Sequence, residues 1–131
     1  PEKAEVTIDI RSAHGDALEK VVARISEFGT HEGVSLYLNT DLRWPAMESG
    51  HNENLMDIYM SVAACAGARV LPVSTGGMSD GNWFSHEGVP TLDGLGPIGG
   101  LDHGPDEYME MASFAQRAGL LAGTIISLTG S

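Results

Sequence analysis

Apolar and polar residues alternate near the start of the chain: Val6, Ile8 and Ile10 against Thr7, Asp9 and Arg11. A period of two predicts a half-buried strand. Asp16 is expected to open a helix, with Glu19 three residues on as its capping-box partner. Leu18, Val21, Val22, Ile25 and Phe28 then share one helical face, and Gly29 ends the helix. Val34, Leu36 and Leu38 alternate with Ser35, Tyr37 and Asn39 in a second strand. One apolar helix face between two one-sided strands fits half of an open-faced sandwich, a sheet covered by helices on one side.

Residues 43–50 read as a linker, because Pro45 blocks regular structure there. Asn52 or Asn54 is placed to cap the next helix. Its buried face would be Leu55, Ile58, Tyr59, Val62, Ala63 and Ala66, and Gly67 closes it. Residues 69–73 and 89–92 are short strands, with Pro90 marking an edge or a strand start. Between them Asp80 caps a short helix that Gly88 ends. Ser113 caps the last helix, whose inner face would be Phe114, Ala118, Leu121, Ala122 and Ile125. The order helix, strand, helix, strand, helix predicts an α/β layer with parallel strands.

Composition narrows the function classes. Seven basic residues against 18 acidic ones give a net charge of −11. Nucleic acid and anionic membranes need basic patches, so neither is expected as a partner. The single cysteine, Cys65, excludes an internal disulfide framework and falls on the apolar face of its helix, as a small core residue would. The apolar run at 119–128 is too short to span a bilayer. A cytoplasmic location is expected.

Two polar glycine loops carry the candidate chemistry. The first runs Thr75-Gly76-Gly77-Met78-Ser79-Asp80-Gly81-Asn82, and the second Gly99-Gly100-Leu101-Asp102-His103-Gly104-Pro105-Asp106-Glu107-Tyr108-Met109. An imidazole in such a loop, with carboxylates in reach of its second nitrogen, is a common arrangement for a metal ligand. His103 is therefore a candidate ligand, with Asp102, Asp106 and Glu107 available to orient its ring. The same acids would serve equally as helix-start caps or solvated surface. Gly77, Ser79 and Asp80 have two compatible readings: a helix cap, and a pocket wall whose backbone N–H groups accept a substrate carboxylate. Asn82 is a candidate donor to substrate. Arg43 suits a planar carboxylate, or else a surface salt bridge. His14, His31, His51 and His86 read as surface or capping residues, and Trp83 and Phe84 as core.

These loops, together with Val89-Pro90-Thr91-Leu92-Asp93-Gly94-Leu95-Gly96, Arg43-Trp44-Pro45-Ala46-Met47-Glu48 and Val6-Thr7-Ile8-Asp9-Ile10-Arg11, resemble in order and spacing the C-terminal part of the zinc-dependent exopeptidases and deacylases. That family includes glutamate carboxypeptidase, acetylornithine deacetylase, succinyl-diaminopimelate desuccinylase and aminoacylase. The resemblance implies an α/β partial chain: half of a ferredoxin-like lid domain (β-α-β, 1–44), which also dimerises, then the C-terminal α/β part of the catalytic domain (45–131). It implies two zinc ions per full-length active site, replaceable by cobalt, with His103 a terminal ligand of one. The other ligands, a His-x-Asp motif, a bridging aspartate and a Glu-Glu pair, would lie in a preceding half. So would the general base, and no catalytic residue is assigned within this chain.

The expected activity is cleavage of a peptide or N-acyl bond next to a free carboxylate in a small-molecule or peptide substrate, by a homo-oligomer. The chain alone is expected to be inactive. Met78, Gly104 and Leu101-Asp102 depart from the family pattern, and Asn82 stands where the desuccinylase branch has Arg, favouring the glutamate carboxypeptidase branch. The alternative is a non-catalytic binding or assembly module derived from the same family.

Overall fold

The computed structural model describes residues 2–29, 33–40, 43–50 and 52–130. These described residues form four helices and one two-stranded ladder: α1 (Gly15–Glu27), α2 (Glu53–Cys65), α3 (Gly81–His86), β1 (Gly99–Gly100), β2 (Tyr108–Met109) and α4 (Met111–Thr129). The helices arise where the 3.6-residue pattern predicts them. The glycines expected to end α1, α2 and α3, Gly29, Gly67 and Gly88, all have positive φ.

The core sits between α2 and α4. Tyr59, Ala63 and Leu120 are its buried apolar residues, with Val62, Ala68, Val70, Leu92 and Leu95 packed around them. The inner face of α4 differs from expectation. Ser113, Leu120 and Thr124 are buried, whereas Phe114, Leu121 and Ile125 are exposed. Close approach explains the choice of face. A Cβ at Gly123 would lie 2.8 Å from Val62 Cγ1, so the helices meet along small residues and bulky ones turn outward. Thr124 satisfies its hydroxyl by donating to Leu120 O at 2.8 Å, and Arg117 donates to the Tyr59 hydroxyl at 3.2 Å.

The strand expectations are corrected. Residues 6–10, 69–73 and 89–92 are not in any ladder, and residues 34–38 contribute only an isolated bridge at Val34. No parallel pair forms among the described residues; the one ladder is antiparallel, and it lies in the histidine loop. A strand exists only through a hydrogen-bonded neighbour, so alternation predicts a one-sided extended segment without supplying its partner. The same segments leave their apolar side chains open, Val6 at 77% and Val73 at 78% exposure. The amphipathic helix α1 buries none of its residues. The chain presents 10449 Å² to solvent, against roughly 6600 Å² for a compact monomer of this mass.

Several local expectations also change. Neither Asp16 nor Asp80 makes a side-chain cap; they sit at the first turn of α1 and at the N-cap of α3. Asp16 instead accepts from Lys20 Nζ at 2.6 Å, which holds its carboxyl below the usual range. Glu19 pairs with Arg43 rather than closing a capping box. Ser113 lies inside α4 rather than capping it. Cys65 is exposed, in a groove with Ile58, Val62 and Gly123. Trp83 and Phe84 are exposed rather than core, at 46% and 59%. Trp83 leans on Trp44 with ring centroids 5.9 Å apart.

Candidate functional site

The histidine loop is a hairpin. Gly99 pairs with Met109 and Gly100 with Tyr108. Only glycine fits at 99, where a Cβ would stand 2.5 Å from the Tyr108 carbonyl oxygen. Its tip is a double turn, in which Gly104 N donates to Leu101 O at 3.1 Å and Glu107 N to Gly104 O at 3.2 Å. Leu101 and His103 adopt left-handed φ of 60° and 67°. Such residues cost roughly 1–2 kcal/mol each relative to glycine. The turn therefore holds the imidazole in a conformation that a relaxed chain would avoid.

The base of the hairpin is tied to α4. Glu110 N donates to Ile98 O at 2.8 Å. Ser113 Oγ accepts from Ile98 N at 2.8 Å and donates to Glu110 O at 2.7 Å. His103 is thus an exposed side chain on a short arm whose root is the first turn of α4. No hydrogen bond joins its ring to Asp102, Asp106 or Glu107. Asp102 and Glu107 line a shallow cavity of about 330 Å³ with Pro97, Gly99, Tyr108 and Met109.

The second loop is held by its own side chains. Asn82 Oδ1 accepts from Ser79 N at 3.0 Å, and Asn82 Nδ2 donates to Pro45 O at 2.8 Å. Ser79 Oγ accepts from Gly81 N at 3.2 Å. The buried Asn82 amide therefore fastens the loop to the 43–50 segment. The Ser79 N–H is occupied as well. The N–H groups of Gly76, Gly77 and Met78 donate to no group among the described residues, and Asp80 is exposed. Arg43 spends its guanidinium on Glu19, at 3.0 and 3.2 Å, and on Thr40 Oγ1 at 3.1 Å.

His14 sits at the N-cap of α1 without capping it, and His86 ends α3, exposed. His31 and His51 lie outside the described residues. His14-Gly15-Asp16 has the spacing of the His-x-Asp motif ascribed above to a preceding half. Here it forms the exposed start of α1, and Asp16 is engaged by Lys20. Among the described residues no group of three or more His, Cys, Asp or Glu side chains could hold a metal ion. His103 alone does not make a zinc site, which needs at least three protein ligands held together.

Sequence reasoning missed two residues that organise these loops. Asn52 stands at the N-cap of α2, as one of the two expected caps, but its side chain makes no cap hydrogen bond; it is buried and joins three segments. Its Nδ2 donates to Glu48 O at 3.1 Å and to Ser85 Oγ at 3.4 Å, and its Oδ1 accepts from Thr91 N at 2.7 Å. Asn52→Ala is expected to lower unfolding stability by about 2 kcal/mol, because the part-buried Thr91 N–H is left without its acceptor and the tie to Glu48 O is lost. A urea midpoint unchanged within about 0.3 kcal/mol would show the asparagine to be dispensable. Arg11, read only as part of a strand, donates from Nη1 to Gly76 O at 2.8 Å. Its spacing to Asp9 was the available signal, since residues two apart share a strand face.

The chain belongs to peptidase family M20/M25/M40, whose model matches residues 8–127. Membership carries a metallopeptidase or amidohydrolase type of function, and the family generally uses zinc or another divalent metal. Neither the curated proteins nor the solved structures yield a match.

Proposed function

We propose that this chain is the C-terminal part of a zinc metallohydrolase that cleaves a peptide or N-acyl bond next to a free carboxylate, in the manner of glutamate carboxypeptidase. The supporting observation is the family match over residues 8–127 together with His103 raised on a strained hairpin tip. His103 would supply one zinc ligand, and the free N–H groups of Gly76 to Met78 one wall of the substrate pocket. Asn82 positions that wall instead of donating to substrate. Arg43 would reach a substrate carboxylate only after leaving Glu19. The remaining ligands and the general base belong to a preceding half, and the active form is a cytoplasmic homo-oligomer. Unladdered extended segments and a bare α1 support this reading, because each lacks a covering layer.

The purified chain should bind no stoichiometric zinc and hydrolyse no N-acyl amino acid. A full-length enzyme carrying these residues should do both and lose turnover on chelation. Turnover that survives chelation would overturn the proposal. Metal-dependent turnover by the isolated chain would refute the division of the site.

A further inference from the structure

We propose that Asp93-Gly94 is a site of spontaneous backbone modification, at which the aspartate closes on the next nitrogen as a succinimide and reopens as isoaspartate. The pair is exposed, in the irregular stretch between α3 and β1. Gly94 N donates to its neighbour's carboxyl, 2.7 Å from Asp93 Oδ1. The carboxyl carbon lies one bond beyond that oxygen, so nucleophile and electrophile already stand side by side. Among the described residues no other acceptor takes this N–H. Gly94 has a φ of 68°, and nothing lies within 4 Å of where a Cβ would stand. With no side chain on the nucleophile, ring closure meets no obstacle.

The chemistry needs no co-reactant but water. The Gly94 nitrogen bonds to Asp93 Cγ of the protonated carboxyl. The bond from Cγ to the hydroxyl oxygen breaks, and that hydroxyl leaves with the amide proton as one water. Water then adds to the five-membered ring. Attack at Cγ restores aspartate. Attack at the main-chain carbonyl carbon leaves Gly94 attached through Cγ, which is isoaspartate. Nothing is oxidised or reduced.

The chain contains an internal comparison. Asp80-Gly81 is the same dipeptide, but it begins α3. Asp80 has a helical ψ of −23° and makes no side-chain hydrogen bond to the helix start. Gly81 N donates to Ser79 Oγ instead, at 3.2 Å. A Cβ on Gly81 would stand 3.0 Å from Met47 Cε and 3.3 Å from Thr91 Cγ2. The nitrogen there is turned away from its own aspartate and crowded. The consequence at Asp93 reaches the core, because Leu92 and Leu95 on either side of the pair both pack against it. Isoaspartate adds one carbon to the main chain between them, about 1.5 Å of path. The link that leads on to Ile98 and the histidine hairpin is lengthened by the same step.

The test is peptide mapping by mass spectrometry on the full 131-residue chain after prolonged warming at neutral pH, with fragmentation that separates aspartate from isoaspartate. Succinimide, seen as the loss of one water, and isoaspartate should accumulate at Asp93 roughly tenfold faster than at Asp80, the ratio that a barrier difference of about 1.4 kcal/mol gives. In urea the two sites should converge, since only the fold distinguishes them. Gly94→Ala should slow Asp93 severalfold by placing a methyl group beside the nucleophile. Alanine also strains a φ of 68°, so Asp93→Asn supplies a second variant. It forms the same ring by releasing ammonia and should yield isoaspartate faster than the parent, because a neutral amide resists attack less than an ionised carboxylate. Equal rates at the two sites in the folded chain overturn the proposal, as does an Asp93→Asn chain that accumulates no isoaspartate. A preference for Asp93 that persists undiminished in urea would assign it to the flanking sequence and overturn the geometric argument.

Discussion

Leu120→Ala should unfold the α2–α4 pair. Leu120 is 2% exposed and, with Tyr59 and Ala63, makes up the buried apolar core among the described residues. Truncating a buried leucine costs about 2–5 kcal/mol through lost transfer energy and the cavity left behind. Ordinary domains hold only about 5–15 kcal/mol in total, and one resting on three buried apolar side chains has little margin. The cavity cannot collapse easily, because Gly123 already brings α4 against Val62. Circular dichroism should show lost helix at 25 °C or a sharply lowered melting midpoint. Ile126→Ala, at an exposed position on the same helix, should stay within about 0.5 kcal/mol of the parent. Equal effects from the two variants would show that the helices do not pack as described.

His103→Ala in a full-length, zinc-loaded enzyme should remove one metal and lower turnover by roughly a hundredfold or more, since first-coordination ligands matter at least as much as the partners behind them. The same substitution in the isolated chain should leave stability within about 0.5 kcal/mol, because the ring is exposed. His103→Gly should stabilise the isolated chain by about 1 kcal/mol, because glycine adopts a φ of 67° without penalty. Near-normal turnover with both metals bound in His103→Ala would remove histidine from the ligand set. A destabilised His103→Gly would show that the turn is not strained.

The helices were legible in the sequence because their pattern is local. Leu55, Tyr59, Val62 and Ala63 repeat at helical spacing, and α2 forms there with Tyr59 and Ala63 buried. The face of α4 was misread because hydrophobicity alone favours Phe114 and Ile125. The actual contact is decided by how near Gly123 can come to α2, which is not written in either helix separately. Strands failed for a related reason. Val6, Ile8 and Ile10 alternate as a strand should, but pairing depends on a neighbour distant in sequence. At the site, glycine spacing located both loops, and the hairpin pairing of Gly99 with Met109 followed from neither periodicity nor composition. Asn52 stands at the N-cap of α2 as expected, but the groups that its side chain and that of Asn82 hold lie far off in sequence, Thr91 N for the one and Pro45 O for the other, and no local pattern announces them.

The hydrogen bonds from Ile98, Glu110 and Ser113 make the histidine arm an outgrowth of α4. A genetic screen scored on activity would not separate chemistry from architecture in such a protein. Substitutions at Tyr59, Ala63, Leu120 and Ser113 would be recovered beside those at His103, and each would read as a catalytic defect. Second-site suppressors would sort them, since changes that tighten the α2–α4 seam can rescue the first group and leave the loss of the imidazole uncorrected.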